Sequence, residues 1–139
     1  MKLLFSMLAV LTLLTSAICK KNHFEPPVQH QLLGKWKYTG KSGGYAGKYE
    51  AANPSVSNVI EFKKERKYVR YVNNEPDVQG TYELLKLKSI YSGKDEYAIR
   101  FDPVEGAPKT GMIITVVGDT LSLAENVHDG FTTGYAKLK

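Results

Sequence analysis

The 139-residue chain has one cysteine, three histidines and one tryptophan, and these scarcities exclude several classes of protein. A single thiol, Cys19, cannot form a disulfide within the chain, so a disulfide-stapled fold is excluded. His23, His30 and His128 lie in segments with tether or turn composition, where no rigid strand would hold a general base or a metal ligand. We therefore expect no catalytic residue, no metal site, no cofactor and no enzymatic activity.

Strong charge of one sign is also lacking. Lys and Arg total 19 against 14 Asp and Glu, a formal net charge of +5. This excess is too small to favour nucleic acid as a partner, and none is expected. The one dense basic cluster runs from Lys63 to Lys67 and continues to Arg70 between two strand-like segments. It is typical of a solvated hairpin tip.

The longest apolar run, residues 3–14, follows Lys2 and is about a dozen residues long, whereas a transmembrane helix needs roughly 20. Small residues follow at Thr15–Ala17, then Ile18 and Cys19, and the chain turns polar at Lys20. The arrangement resembles a bacterial lipoprotein signal. That resemblance implies cleavage before Cys19 and a lipid on its thiol. Cleavage after Ala17 by the ordinary secretory route is the alternative.

The composition divides the chain into three parts. Residues 1–18 are predicted to be a signal peptide. Residues 19–31 are polar, include Pro26 and Pro27 and show no periodicity, so they are predicted to be a flexible tether. Residues 32–139 are long enough for a single modest core and form one predicted domain.

Within this domain, short runs rich in Tyr, Val, Ile and Phe alternate with turns rich in Gly, Pro, Asn and Asp, and no amphipathic helix is predicted. Alternation predicts eight strands: Lys35–Thr39, Ser57–Phe62, Tyr68–Asn73, Gly80–Leu87, Glu96–Phe101, Gly111–Val117, Thr120–Ala124 and Gly134–Leu138. Gly118 and Asp119 predict a two-residue hairpin loop. The strand Met112–Val117 is apolar on both sides and is predicted to be covered on both faces, or to pack its outer side under a loop.

Strands with one apolar face each must close or stack. The predicted fold class is therefore all-β, an antiparallel meander of about eight strands closed into a barrel. A two-sheet sandwich is the alternative.

The domain begins with Leu32-Leu33-Gly34-Lys35-Trp36-Lys37-Tyr38, a Gly-x-Trp at the start of the first strand. It ends with Gly118–Leu123 followed by Asp129–Lys137. Both segments resemble those of lipocalin-like lipoproteins of the bacterial cell envelope. The resemblance implies a lipocalin-like barrel closed at one end by Gly34 and Trp36. In lipocalins a basic residue late in the barrel lies over this tryptophan. In this chain the resemblance implies that Lys137 or Lys139 takes that position.

A lipocalin-like barrel implies a small hydrophobic or amphipathic ligand in its interior. Strand parity and side-chain chemistry give seven candidates for the cavity wall: Tyr38, Tyr82, Leu84, Tyr97, Ile99, Met112 and Ile114. The sequence thus predicts an exported protein, anchored by lipid on Cys19 to a membrane of the bacterial cell envelope, the outer membrane being expected. The alternative is a structural or interaction lipoprotein with a filled barrel. In that case a surface such as Gly40–Asn53 would engage a protein partner, which the sequence does not identify.

Overall fold

The computed structural model describes residues 26–139, and the predicted signal peptide and Cys19 lie outside this range. The described chain contains one short helix, one 3₁₀ turn and nine strands. The helix α1 is Pro27–Leu32 and the 3₁₀ turn is Lys64–Arg66. The strands are β1 (Gly34–Gly43), β2 (Lys48–Ala51), β3 (Asn58–Phe62), β4 (Lys67–Val72), β5 (Glu75–Lys88), β6 (Asp95–Phe101), β7 (Met112–Val117), β8 (Thr120–Glu125) and β9 (Phe131–Lys137).

Eight of these strands form a closed antiparallel barrel in the order β1-β3-β4-β5-β6-β7-β8-β9, with β9 pairing back to β1. The predicted eight-stranded barrel is confirmed. The ninth strand, β2, was not predicted. It pairs with β1 at Gly40–Gly43, beyond the stretch Gly34–Lys37 that pairs with β3. β1 therefore pairs first with β3 and then, further along the strand, with β2.

Local turn chemistry explains two of the hairpins. Gly118 and Asp119 join β7 to β8 as the predicted two-residue loop, with Val117 opposite Thr120. Asn73 and Asn74 join β4 to β5 with φ of 51° and 69°, the left-handed conformation that asparagine tolerates and a tight hairpin requires. Because these two residues complete the turn, β5 begins at Glu75, five residues before the predicted start at Gly80.

The described end of the predicted tether is helical. Pro27 favours the start of a helix for two reasons. The proline ring sets φ near the helical value, and the N–H that proline lacks would have no partner at the first helical position. Val28 and Leu32, four residues apart, are buried on one side of α1, together with Gln29. The prediction of a flexible tether is therefore wrong for residues 27–31, which pack into the end of the barrel. Six residues are too few for the apolar periodicity that would have revealed this helix.

Trp36 joins α1 to the barrel. Its side chain is fully buried, and its indole N–H donates to the Leu32 carbonyl oxygen at 2.7 Å. Lys137 Nζ lies 5.0 Å from the centre of the Trp36 ring and donates to the Gln31 carbonyl oxygen at 3.2 Å. The expected cation over the tryptophan is confirmed, and it is Lys137. Both side chains bind carbonyl groups that the end of a helix leaves without partners.

A packed layer surrounds Trp36 at this closed end of the barrel. Tyr82 lies against Phe62 with ring centres 5.3 Å apart and planes at 86°, an edge-to-face contact. The Gln29 side-chain amide donates to the Tyr82 hydroxyl at 2.6 Å, which fixes α1 to β5. The side chains of this layer are buried and belong to the hydrophobic core.

The barrel has its fewest paired residues between β6 and β7, which share only the pairs Ala98–Ile113 and Ile99–Met112. The tip of the β5–β6 hairpin is held against the end of β8 instead. There, Ile90 N–H donates to Asn126 Oδ1 at 2.9 Å and the Tyr91 hydroxyl donates to the Glu125 carbonyl at 2.7 Å. Ile113 and Ile114, on opposite faces of β7, are both buried, as expected of a strand covered on both sides.

Truncating Trp36 should therefore be costly. We expect Trp36→Ala to lower the free energy of unfolding by about 3–5 kcal/mol, because a large buried aromatic is lost and the helix loses its indole partner. Denaturant unfolding measures this change. Tyr45→Ala, at a side chain 96% exposed, is the matched control and should change stability by less than about 0.5 kcal/mol. A loss below about 1 kcal/mol for Trp36→Ala would contradict its role.

Candidate functional site

The candidate site is the second layer of the barrel interior. Side chains two residues along each strand from the packed layer share its face, since the period of a strand is two. Trp36 is thus followed by Tyr38, Phe62 by Ile60, Tyr68 by Arg70 and Leu121 by Leu123. These second-layer residues do not fill the interior. They surround a cavity of about 420 Å³, whose wall includes Tyr38, Ile60, Arg70, Phe101, Met112, Leu123 and Tyr135.

Arg70 is the one positively charged residue of this wall. It pairs with Ile60 across the β3–β4 ladder, so its side chain is on the inner face. Its guanidinium carbon lies 5.1 Å from the centre of the Phe101 ring and 5.6 Å from that of Tyr68, distances typical of cation–π contacts. Arg70 is exposed, as expected for the basic cluster, but it lies within β4 on the inner face and not at the hairpin tip. Lys63, Lys64 and Lys67 are exposed, as expected of such a tip.

No carboxylate among residues 26–139 forms an ion pair with Arg70. The ion pairs in this part of the chain use other side chains, such as Arg100 with Glu83 at 2.7 Å. Asp77 also lines the cavity, at the register shift between β4 and β5, but the residue opposite Arg70 in the ladder is Val78. Arg70 thus presents its donors in the cavity without a carboxylate partner from the described chain.

Two tyrosines of the β1–β9 seam line the same cavity as Arg70. Tyr38 and Tyr135 are partners in the ladder, and their rings meet edge to face with centres 6.0 Å apart. Burial raises the pKa of Tyr135 above its ordinary value of 10.0; the positive charge of Arg70 opposes this rise, and Tyr38 adds to it. The Tyr135 hydroxyl is therefore protonated at neutral pH and available as a hydrogen-bond donor.

Asp102 fixes the orientation of Tyr68, one of the two aromatic residues that contact Arg70. The Tyr68 hydroxyl donates to Asp102 Oδ2 at 2.6 Å, and the backbone N–H of Thr81 donates to Oδ1 at 2.9 Å. The carboxylate occupies the space beside Gly80, where a Cβ atom would collide with it. Burial and the bond to Asp102 raise the pKa of Tyr68. The Tyr68 ring is thereby held in one orientation for its contact with Arg70.

The seven predicted cavity residues divide into three groups. Tyr38 and Met112 line the cavity. Tyr82, Ile99 and Ile114 are buried in the core, and Leu84 and Tyr97 are half-buried and pack against it. The ligand-binding role of all seven stays a prediction, and the structure brings only the first two to the open space.

The prediction missed five of the wall residues named above: Ile60, Arg70, Phe101, Leu123 and Tyr135. The segments around Arg70 and Tyr135 carry apolar or aromatic residues on both parities, so sequence alternation did not assign their faces. The signal that could have found Arg70 is its spacing of two from Tyr68, which would place both on the inner face.

Gly34 and Trp36 lie at the closed end, away from the cavity, and Gly34 has a φ of 116° that favours glycine. Within residues 26–139, no three or more His, Cys, Asp or Glu side chains converge as metal ligands. None of the helices described over the same range has the length and apolar character to cross a bilayer.

Comparison of the chain with protein-family models, with curated proteins and with solved structures finds no match. The functional argument therefore depends on the geometry of the barrel and on the sequence features described above.

The raised pKa of Tyr135 predicts a change in alkaline stability. A proton held more tightly in the folded protein contributes stability that is complete below the ordinary pKa and is lost as the pH rises through the folded value. We expect the free energy of unfolding to fall more steeply above about pH 10 in the wild type than in Tyr135→Phe. Denaturant unfolding at a series of pH values measures both slopes.

Ultraviolet titration of tyrosinate provides an independent check. The difference between wild type and Tyr135→Phe should show one tyrosine that ionises above the ordinary value of 10.0. A difference curve centred at or below that value would show that Tyr135 is solvated rather than buried in the cavity wall.

Proposed function

We propose that this chain is an exported, lipid-anchored, lipocalin-like protein that binds a small hydrophobic or amphipathic molecule in its barrel at the bacterial cell envelope. The observation that carries the binding function is the cavity of about 420 Å³ above the packed layer. Pockets that hold small molecules usually measure about 300–1,000 Å³ and are lined by apolar and aromatic side chains with a few polar groups. The wall formed by Ile60, Phe101, Met112 and Leu123, with Arg70 and two tyrosines, has this composition.

The envelope address is supported by sequence features alone. An apolar run too short to span a bilayer precedes Cys19, and polar residues follow it. Family membership is supported by the Gly34-x-Trp36 opening, together with the position of Trp36 at the closed end and Lys137 over its ring. The proposal includes no reaction, no cofactor and no nucleic-acid partner.

A second candidate function is docking of a protein partner on the hairpin Gly40–Asn53. Tyr45 and Tyr49 of this hairpin are exposed, Tyr45 almost completely. Exposed tyrosines are frequent anchors in protein interfaces. A protein that only docks a partner would be expected to have a barrel filled by side chains. The open cavity therefore favours ligand binding.

Filling the cavity should abolish ligand binding. Met112→Trp places a larger side chain into the open space, whereas Val117→Trp adds the same side chain at a 70% exposed position on the same strand. We expect the neutral fluorescent probe N-phenylnaphthylamine to bind saturably to the wild type and to Val117→Trp, but not to Met112→Trp. Fluorescence titration measures binding, and circular dichroism verifies that each variant is folded. A folded wild type that binds neither this probe nor any lipid from an envelope extract would contradict the proposal.

The anchor is tested at Cys19. Replacing Cys19 with Ala removes the thiol that would carry the lipid, so the protein should leave the membrane fraction and its N-terminal peptide should lose the acyl mass. Fractionation and mass spectrometry of the intact N-terminus measure both changes. A wild-type protein that begins at Ile18 without lipid would show cleavage after Ala17 and refute lipid anchoring.

A further inference from the structure

We propose that the cavity selects amphiphiles with an anionic, carboxylate-type head group, and that Arg70 is the residue that binds this head. The inference rests on the proposed ligand-binding function and specifies its ligand class. It follows from the position of Arg70, which has no carboxylate partner among the described residues and lies beside the apolar and aromatic part of the cavity wall.

The first step is the accessibility of Arg70. Its side chain lines the cavity and remains exposed to solvent, so a ligand that enters the cavity can reach its charge. Among the described residues Arg70 forms no ion pair with a carboxylate, and its guanidinium lies 5.1 Å from the Phe101 ring centre and 5.6 Å from that of Tyr68. Cation–π contacts of this kind do not use the guanidinium N–H groups as hydrogen-bond donors to an oxygen, so these groups are available to an acceptor.

The second step is the geometry of those donors. A guanidinium is a planar fork that binds a carboxylate through two parallel N–H···O bonds, and such charge-assisted bonds are stronger than neutral ones. The hydroxyl of Tyr135, which lines the same cavity as Arg70, is a third donor. Arg70 and Tyr135 together form a donor set for an anion, without a lysine or metal.

The third step is the rest of the wall. Ile60, Phe101, Met112 and Leu123 provide apolar surface beside Arg70, which suits an alkyl chain. Asp77, the other charged residue of the wall, is exposed like Arg70 and lies at the β4–β5 register shift rather than opposite Arg70. Because Arg70 lies over Phe101, which belongs to the apolar part of the wall, an anionic head bound there would have apolar surface beside it for its alkyl chain.

Three probes with the same alkyl chain test the proposal: dodecanoate, dodecanol and dodecyltrimethylammonium, each titrated into the purified protein by calorimetry below its micelle concentration. Dodecanoate should bind at least about tenfold more tightly than dodecanol, the ratio expected for one hydrogen-bonded charge pair. The cationic probe should bind most weakly.

Arg70→Met keeps the length and apolar stem of the side chain but removes its charge. This variant should lose the preference for dodecanoate, while its affinity for dodecanol stays within about threefold. Lys37→Met, which removes one positive charge from an exposed site on the outer face of β1, should retain the full preference and so control for net charge. Thermal unfolding verifies that both variants are folded.

Each outcome has a distinct meaning. Equal affinity for dodecanoate and dodecanol, or a preference that survives Arg70→Met, would overturn the assignment of an anion site while leaving the barrel a lipid binder. Tightest binding of the cationic probe would assign the head group to Asp77 instead. Failure of all three probes to bind the folded wild type would refute the proposed function itself.

Discussion

The bond from the Trp36 indole to the Leu32 carbonyl is the constraint on which the rest of the interior depends. It places the largest side chain of the core across the end of the barrel and, with Lys137, supplies partners for the last carbonyls of α1. A barrel of eight strands has an interior just wide enough to be filled by side chains or to hold one small ligand. Here both occur. Trp36 and its neighbours fill the closed end, and the space they leave beyond them is the cavity.

The division into a filled layer and an open layer has a simple origin in side-chain size and charge. The packed layer contains Trp36, Phe62 and Tyr82, whose rings meet across the interior. The next layer contains Ile60 and Leu123, which are smaller, and Arg70, whose charged side chain stays exposed to solvent instead of packing into the core. Arg70 and Asp77 are the charged residues that line this open layer.

Most of the strands could be predicted from the sequence because alternation and turn residues agree along them. Gly118-Asp119 fixed one hairpin and the eight-strand count required closure. The missed elements lack such signals. β2 is exposed at every residue and has no apolar face, and α1 is too short to show a helical period. The site was harder to predict than the fold. Parity identified Tyr38 and Met112, but only the register of β3 with β4 shows that Arg70 faces inward.

The limited pairing between β6 and β7 has a consequence for how this wall behaves mechanically. The other seams of the barrel are joined by at least four residue pairs and this one by two. The tip of the β5–β6 hairpin is hydrogen-bonded to the end of β8, so these bonds connect the two sides of the weakly paired seam. Met112, one of the four residues paired across the seam, also lines the cavity. Separation of β6 from β7 would therefore give access to the cavity from the side of the barrel, and the hydrogen bonds of Asn126 to Ile90 and Lys88 would either remain in place or break with it.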